Sequence, residues 1–181
     1  MITDWKSEIL KGVQIQQRIE ALDRGRLWQR HLPEVAAPDD EIAATEEGLG
    51  FKLDPRYQEF LRHANGWRSF YQSVDLFGTH ELLGAAPMDS AVRQLQAIQP
   101  SDFEVGVGMP LADVLPIGAS SVQRDMFLIT RPWSSKPGIV LWFASREVDR
   151  FATFDEFYLT MLDYNRREVE YLEGEAKGPR L

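Results

Sequence analysis

The chain contains no cysteine. Disulfides, zinc–thiolate centres and thiol nucleophiles are therefore excluded, and the absence suits a reducing compartment. Long apolar runs are also lacking. The longest, Met126–Ile129 and Gly138–Ala144, fall far short of the ~20 residues that a bilayer span needs. Asp4, Lys6, Glu8 and Lys11 interrupt any uncharged leader core near the amino end. The expectation is a protein retained where it is made, in the cytoplasm, without membrane contact. Positive charge is scarce as well: 20 Lys plus Arg stand against 28 Asp plus Glu, a formal charge of −8. Such a surface repels nucleic-acid phosphate. It favours basic partners and speeds their encounter, although net acidity also serves solubility alone.

What is present fits one folded unit. A length of 181 residues matches a single domain and can bury a core without staples. Residues 1–30 read as a helical extension: Trp5, Ile9 and Val13 recur every four residues with Leu10 beside them, and Ile15, Ile19 and Leu22 continue on a rotated stripe. Pro33 and Pro38 punctuate the next stretch. A second helix is expected from Asp39–Asp40 to Gly48–Gly50. The clearest element is a third helix. Asp54 suits its N-cap and Pro55 its first position, while Tyr57, Phe60, Leu61 and Ala64 follow the i, i+3, i+4, i+7 rule before Asn65-Gly66 closes it.

Val74–Phe77 reads as a short strand and Met88, Val92, Leu95 and Ile98 as one face of a helix. Residues 99–110, with two Pro and two Gly, read as a loop. Val114–Ile117, Met126–Thr130, Ile139–Phe143 and Val148–Ala152 are strand candidates. The last helix opens at Thr153-Phe154-Asp155-Glu156, with capping-box spacing, and lines Phe154, Phe157, Tyr158, Met161 and Leu162 on one face. Helices, then adjacent strands, then a helix predict an α+β fold with a mostly antiparallel sheet. The expected division is a helical extension over 1–30, an α+β domain over 31–173 and a flexible tail over 174–181.

Reactive constellations are few. Glu59 and His63, four residues apart on the third helix, have the spacing of a small acid–base couple, but this is first the ordinary spacing of an exposed i, i+4 pair; His63→Ala separates a hydrolase from a surface pair. No His-Glu-x-x-His is present, and His31 and His80 lack ligand-spaced neighbours. Gly106-Val107-Gly108 lacks the third glycine of a dinucleotide loop, and Gly118-Ala119-Ser120-Ser121-Val122 lacks the second glycine of a nucleophile elbow. Glu46 and Glu47 are adjacent, so on a helix they point about 100° apart and do not converge. Neither an enzymatic centre, nor a metal, nor a cofactor is expected.

The stretch from Ile42 to Gly66 contains Glu46-Glu47-Gly48-Leu49-Gly50, then Leu53-Asp54-Pro55-Arg56-Tyr57, Phe60-Leu61 and Asn65-Gly66. In this order the blocks resemble the signature of the SUKH superfamily, which includes the yeast Smi/Knr cell-wall synthesis regulators and many bacterial toxin-immunity proteins. Asp54 stands where the family usually has proline, and Pro55 comes directly after it. Leu115-Pro116-Ile117-Gly118, Phe127–Ile129, Val140–Trp142 and Phe154-Asp155-Glu156-Phe157 resemble its later strands and closing helix. The resemblance spans roughly 40–163.

The resemblance implies one antiparallel-rich sheet with packed helices and no catalytic centre. It implies structural roles for Glu46, Leu49, Gly50, Leu53, Pro55, Tyr57, Phe60, Leu61, Asn65, Gly66, Ile117, Gly118, Phe154 and Phe157. The implied function is neutralisation of a cognate cytosol-acting toxin, for instance a nuclease, by direct binding. The alternative is a regulatory interaction module without a toxin, as in the fungal members.

Trp67, Phe70 and Tyr71 place three aromatics within five residues, with Arg68 among them, a composition found at interface hot spots; Trp67 is equally able to cap a core, and for Phe70 the core reading is favoured. Asp75, Glu81 and Asp89 come next, and Asp102 and Glu104 flank the middle loop. Together they are the expected partner-binding residues: an aromatic anchor with an acidic rim that would steer a basic toxin.

Overall fold

The computed structural model describes residues 1–25 and 29–176. Helix α1 spans Trp5–Leu22, and its first turn is capped by Asp4, whose carboxylate accepts from the Ser7 N–H at 3.1 Å and the Ser7 hydroxyl at 2.6 Å. Its buried face is Trp5, Ile9, Gly12, Gln16 and Ile19. The stripe therefore leaves the expected four-residue step after Ile9. Each such step over-rotates by about 40° on a 3.6-residue turn, so Gly12 replaces Val13 on the inner face, and Leu10 is 56% exposed. Gly12 lies tight against the core: a Cβ there would stand 2.9 Å from the Trp67 ring and 3.2 Å from Leu162.

Helix α2 (Asp39–Leu49) carries Asp39, Asp40 and Glu41 in its first turn, at the positive end of the helix dipole, and ends at Gly50 with φ +77°. Helix α3 (Pro55–Leu61) starts as its sequence predicts. Asp54 accepts from the Arg56 and Tyr57 N–H groups at 2.9 and 3.2 Å, and Pro55 opens the first turn. Tyr57, Phe60, Leu61 and Ala64 are all fully buried.

Beyond these helices lies a six-stranded, wholly antiparallel sheet in the order of the chain: β1 (Trp67–Tyr71), β2 (Val74–Leu76), β3 (Val114–Ser120), β4 (Asp125–Thr130), β5 (Val140–Ala144) and β6 (Glu147–Phe151). Three helices interrupt it between β2 and β3: α4 (Thr79–Leu82), α5 (Ala86–Gln96) and α6 (Pro100–Val107). Helix α7 (Phe154–Ala176) closes the described chain. The architecture is α+β with one sheet.

Both faces of the sheet are covered, and strand alternation decides which residue meets which helix. Phe127 on β4 faces α7, with its ring 4.8 Å from that of Phe157. On the other face the ring of Phe143, whose β4 partner is Met126, lies 5.4 Å from Phe103 of α6. Every residue of β3 is buried, as a central strand between two helical layers requires. Pro116 is tolerated in that strand because the β3–β4 register shifts between Pro116 and Gly118, and a bulge relieves proline of its missing ladder donor. Trp5 completes the α7 side, its ring 5.0 Å from Tyr158 and 5.6 Å from Phe60. Helix α1 thus packs on the core of the domain.

Other expectations are corrected. Residues 99–110 are not a loop. Pro100 occupies a first-turn position of α6 and Gly108, at φ +76°, closes it, so the Pro and Gly are helix punctuation. Strand β1 is not among the expected strands, because its hairpin to β2 turns without Asn-Gly: Gln72 has φ +51°, and Ser69 within the strand has φ +50°. On α5 the buried face is Met88, Ala91 and Leu95, while Val92 is 37% exposed. At the carboxyl end α7 continues through Gly174 to Ala176, and the remainder of the expected flexible tail, 177–181, lies outside the described residues. Positions 26–28 of the expected amino-terminal helix also lie outside them, and Gln29 and Arg30 are not helical.

Candidate functional site

The junction of α2, α3, β1 and α4 is fixed by Asn65. Its amide nitrogen donates to the Glu41 carboxylate at 2.9 Å and to the Thr79 hydroxyl at 2.8 Å, and its oxygen accepts from the Thr79 N–H at 2.8 Å. Gly66, at φ +92°, lies so close to Gly78 that a Cβ would stand 2.6 Å from the Gly78 nitrogen. Only glycine fits there. Beneath this turn the Tyr57 hydroxyl donates to the Phe77 carbonyl at 2.6 Å. Burial pushes that phenol well above its ordinary range, so it remains a donor.

A groove of about 480 Å³ opens beside this junction. Leu76, Val35 and Pro87 supply apolar lining, and Glu34, Asp75 and Glu81 bring three carboxylates, with Arg68 and His80 among them. Asp75 is half-buried, and burial raises its carboxyl above the usual range, against the lowering effect of the Ser69 N–H that it accepts at 2.7 Å. Glu81 accepts from the Gly78 N–H at 2.9 Å. Glu34 is exposed and lies 3.4 Å from Arg68, and its N–H donates to the Gly66 carbonyl at 3.0 Å. The proline-punctuated segment that carries it therefore runs beside the start of β1.

The sequence-predicted contact residues separate into three groups. Asp75 and Glu81 meet in the groove. Trp67 and Phe70 are each 1% exposed, which corrects their expected role as partner anchors. Trp67 packs over Gly12, donates its indole N–H to the His31 carbonyl at 2.8 Å, and reaches the groove only as part of its wall. Phe70 stacks at 5.5 Å on Tyr158. Tyr71 is half-buried against Trp142, 5.2 Å away, and does not line the groove. Asp89, Asp102 and Glu104 are exposed on α5 and α6 and do not line it either, so the expected rim is not continuous. Glu34 and His80 were missed; Glu34 lies outside any periodic element, and only the fold brings it to Asp75.

Neither the Glu59–His63 pair nor Ser120 lines this groove. His63 Nδ1 lies 2.9 Å from the Glu59 carbonyl of its own helix and 3.8 Å from the Glu59 carboxylate, which is ordinary i, i+4 packing. Ser120 is the last residue of β3 and caps the turn to β4: its hydroxyl accepts from the Val122 and Gln123 N–H groups at 3.1 and 2.9 Å. Among the described residues no group of three or more His, Asp or Glu could hold a metal ion. None of the described helices is long and apolar enough to cross a membrane.

The model of the SMI1 / KNR4 family (SUKH-1) matches residues 36–160. The chain belongs to the SUKH-1 family. The match runs from three residues before α2 into the second turn of α7, leaving α1 outside although Trp5 lies in the same core. A search of curated proteins finds no match. SUKH-1 proteins are generally non-catalytic, and in this member the motif residues hold the scaffold. Glu46, 6% exposed, accepts from the Leu53 N–H at 2.9 Å, from Gln58 at 2.6 Å and from Lys52 at 2.6 Å. It fastens the turn between α2 and α3. Phe154 and Phe157 are fully buried in α7. Gly118 lets β3 approach β2: a Cβ there would stand 2.6 Å from the Asp75 carbonyl. Of the SUKH-1 motif residues, Asn65 and Gly66 line the groove, while Glu34, Asp75 and Glu81 supply its carboxylates.

Proposed function

We propose that this protein is a cytoplasmic immunity protein that neutralises a cognate toxin by stoichiometric binding, and that the acidic groove receives a basic segment of that toxin. The observation that carries this reading is the gathering of Glu34, Asp75 and Glu81 around an apolar wall on a SUKH-1 scaffold. Apolar lining takes up the stem of a Lys or Arg side chain, and the carboxylates answer its charged end. Net charge of −8 speeds the encounter with a basic partner. The test is co-expression. A partner captured from native cells should arrest growth when expressed alone, and growth should return when this protein is co-expressed. A captured partner that is harmless alone contradicts the immunity role.

A second reading, a regulatory module that contacts several proteins, is favoured by a different surface. The Arg131 guanidinium lies 5.3 Å from the ring of Phe51 and 5.3 Å from that of Trp133, and Trp133 is 55% exposed. Tryptophan and arginine together are typical of interface hot spots. Capture of several ordinary cellular proteins that depend on Trp133 would support this alternative.

A further inference from the structure

A second groove, of about 610 Å³, lies between the later turns of α5 and the turn ends of β4 and β5. Its floor is apolar: Met126 and Phe143 are 1% and 3% exposed, and Ile98 adjoins them. Strand alternation puts Met126 and Phe143 on the face opposite α7. The rim is basic and polar, formed by Arg93 and Gln94 on α5, Arg124 in the β3–β4 turn, and Ser90 and Ser145. Among the described residues no carboxylate lines it, on a chain whose net charge is −8.

Asp89 lies one turn before Arg93 on α5, but it neither lines the groove nor pairs with Arg93 within 4.0 Å among the described residues. Two other nearby acids are engaged elsewhere. Asp125, next to Arg124, accepts from the Trp142 indole at 2.7 Å on the α7 face. Glu147, two residues after Ser145, is held by Arg150. Arg93 and Arg124 therefore differ from Arg30, Arg56, Arg62 and Arg150, each of which has a carboxylate within 4.0 Å. Among the described residues neither Arg93 nor Arg124 forms an ion pair, and Arg124 reaches only the Ser145 hydroxyl, at 3.4 Å. Ser145 itself sits at φ +63°, a conformation that costs a non-glycine residue energy.

Two like-charged guanidinium groups beside an apolar floor lack a counter-charge, and an anion between them would supply it. We propose that this groove binds a small amphipathic anion, a carboxylate or phosphate carried on an apolar body. The anionic group is held by Arg93 and Arg124, and the body lies on Met126, Phe143 and Ile98. The volume falls in the ~300–1,000 Å³ range of small-molecule sites. An anion held by both arginines ties α5 to the β3–β4 turn, so binding raises the melting temperature. The lining shares no residue with the acidic groove, and the assignment does not depend on the immunity reading.

The test is an amide NMR titration of the full chain with 4-methylbenzoate and with phenyl phosphate, and with neutral 4-methylbenzamide as control. Both anions should give saturable shifts at Gln94, Ile98, Met126 and Ser145, together with a rise in melting temperature. The control should give neither. Arg93→Gln with Arg124→Gln should weaken binding by about tenfold or more, as expected for loss of charge-assisted bonds. Both side chains are exposed, so the unliganded melting temperature should not change. Arg124→Lys, which keeps the charge and loses the planar fork, should fall between. Absence of saturable shifts at these amides, equal binding of the benzamide, or equal affinity in the double variant would each overturn the assignment.

Discussion

The hydroxyl of Tyr57, on α3, donates to the carbonyl of Phe77, in the connection from β2 to α4, at 2.6 Å inside the core. This bond joins the helix that carries the family motif to the segment directly after the strand that carries Asp75. Tyr57→Phe removes the donor and leaves a buried carbonyl without its partner. The expected loss is about 1–3 kcal/mol, read by urea denaturation, with little change in the native fold.

Gly66→Ala should cost more. The position needs φ +92°, and a Cβ would stand 2.6 Å from the Gly78 backbone nitrogen, which cannot move without displacing Thr79 from Asn65. A loss of roughly 3 kcal/mol or more is expected from strain and backbone displacement together, again in urea. Gly50→Ala, where φ is +77° but nothing lies within 4 Å, should cost only about 1–2 kcal/mol.

Helix α1 lies outside the family match, yet Trp5 is 4% exposed among Phe60, Phe154 and Tyr158. Trp5→Ala should destabilise the whole domain by about 3–5 kcal/mol in a single cooperative transition. Separate melting of α1 while the sheet stays intact would show that α1 is only an appendage.

The contrast between α3 and β1 shows what the sequence could express. Helix α3 was legible to its first residue because Asp54-Pro55 and the spacing of Tyr57, Phe60, Leu61 and Ala64 all act locally. The strands from β3 to β6 were legible from their β-branched and aromatic content. Strand β1 was not, because its turn places Gln72 at positive φ without the glycine that usually marks it. At the site, Asp75 and Glu81 could be named as acids near one another. Their meeting with Glu34 depends on a segment lying beside β1, which no local pattern encodes. Trp67 and Phe70 invited a surface role by composition, and only the arrival of α1 and α7 over them makes them core.

The raised carboxyl of Asp75 makes a prediction about pH. Its folded pKa lies above the unfolded value because burial disfavours the ionised form. The group therefore contributes stability at low pH that is lost as pH rises through the folded pKa. Asp75→Asn keeps an acceptor for the Ser69 N–H and removes the charge. The variant should be more stable than the parent near neutral pH, and the gap should close as pH falls through the carboxylate range, read by thermal melts at several pH values. The same variant should bind a basic partner less well.

The most direct test of the acidic groove is parallel capture from native cells, read by quantitative mass spectrometry. The wild-type protein is compared with a variant carrying Glu34→Gln, Asp75→Asn and Glu81→Gln. These changes remove the charge and leave acceptors for the Ser69 and Gly78 N–H groups. One basic protein, held stoichiometrically by the wild type and lost from the variant, is the expected result. Equal recovery of the same partner by both proteins would contradict a role for the groove, and recovery of several ordinary regulatory proteins by both would contradict the immunity function.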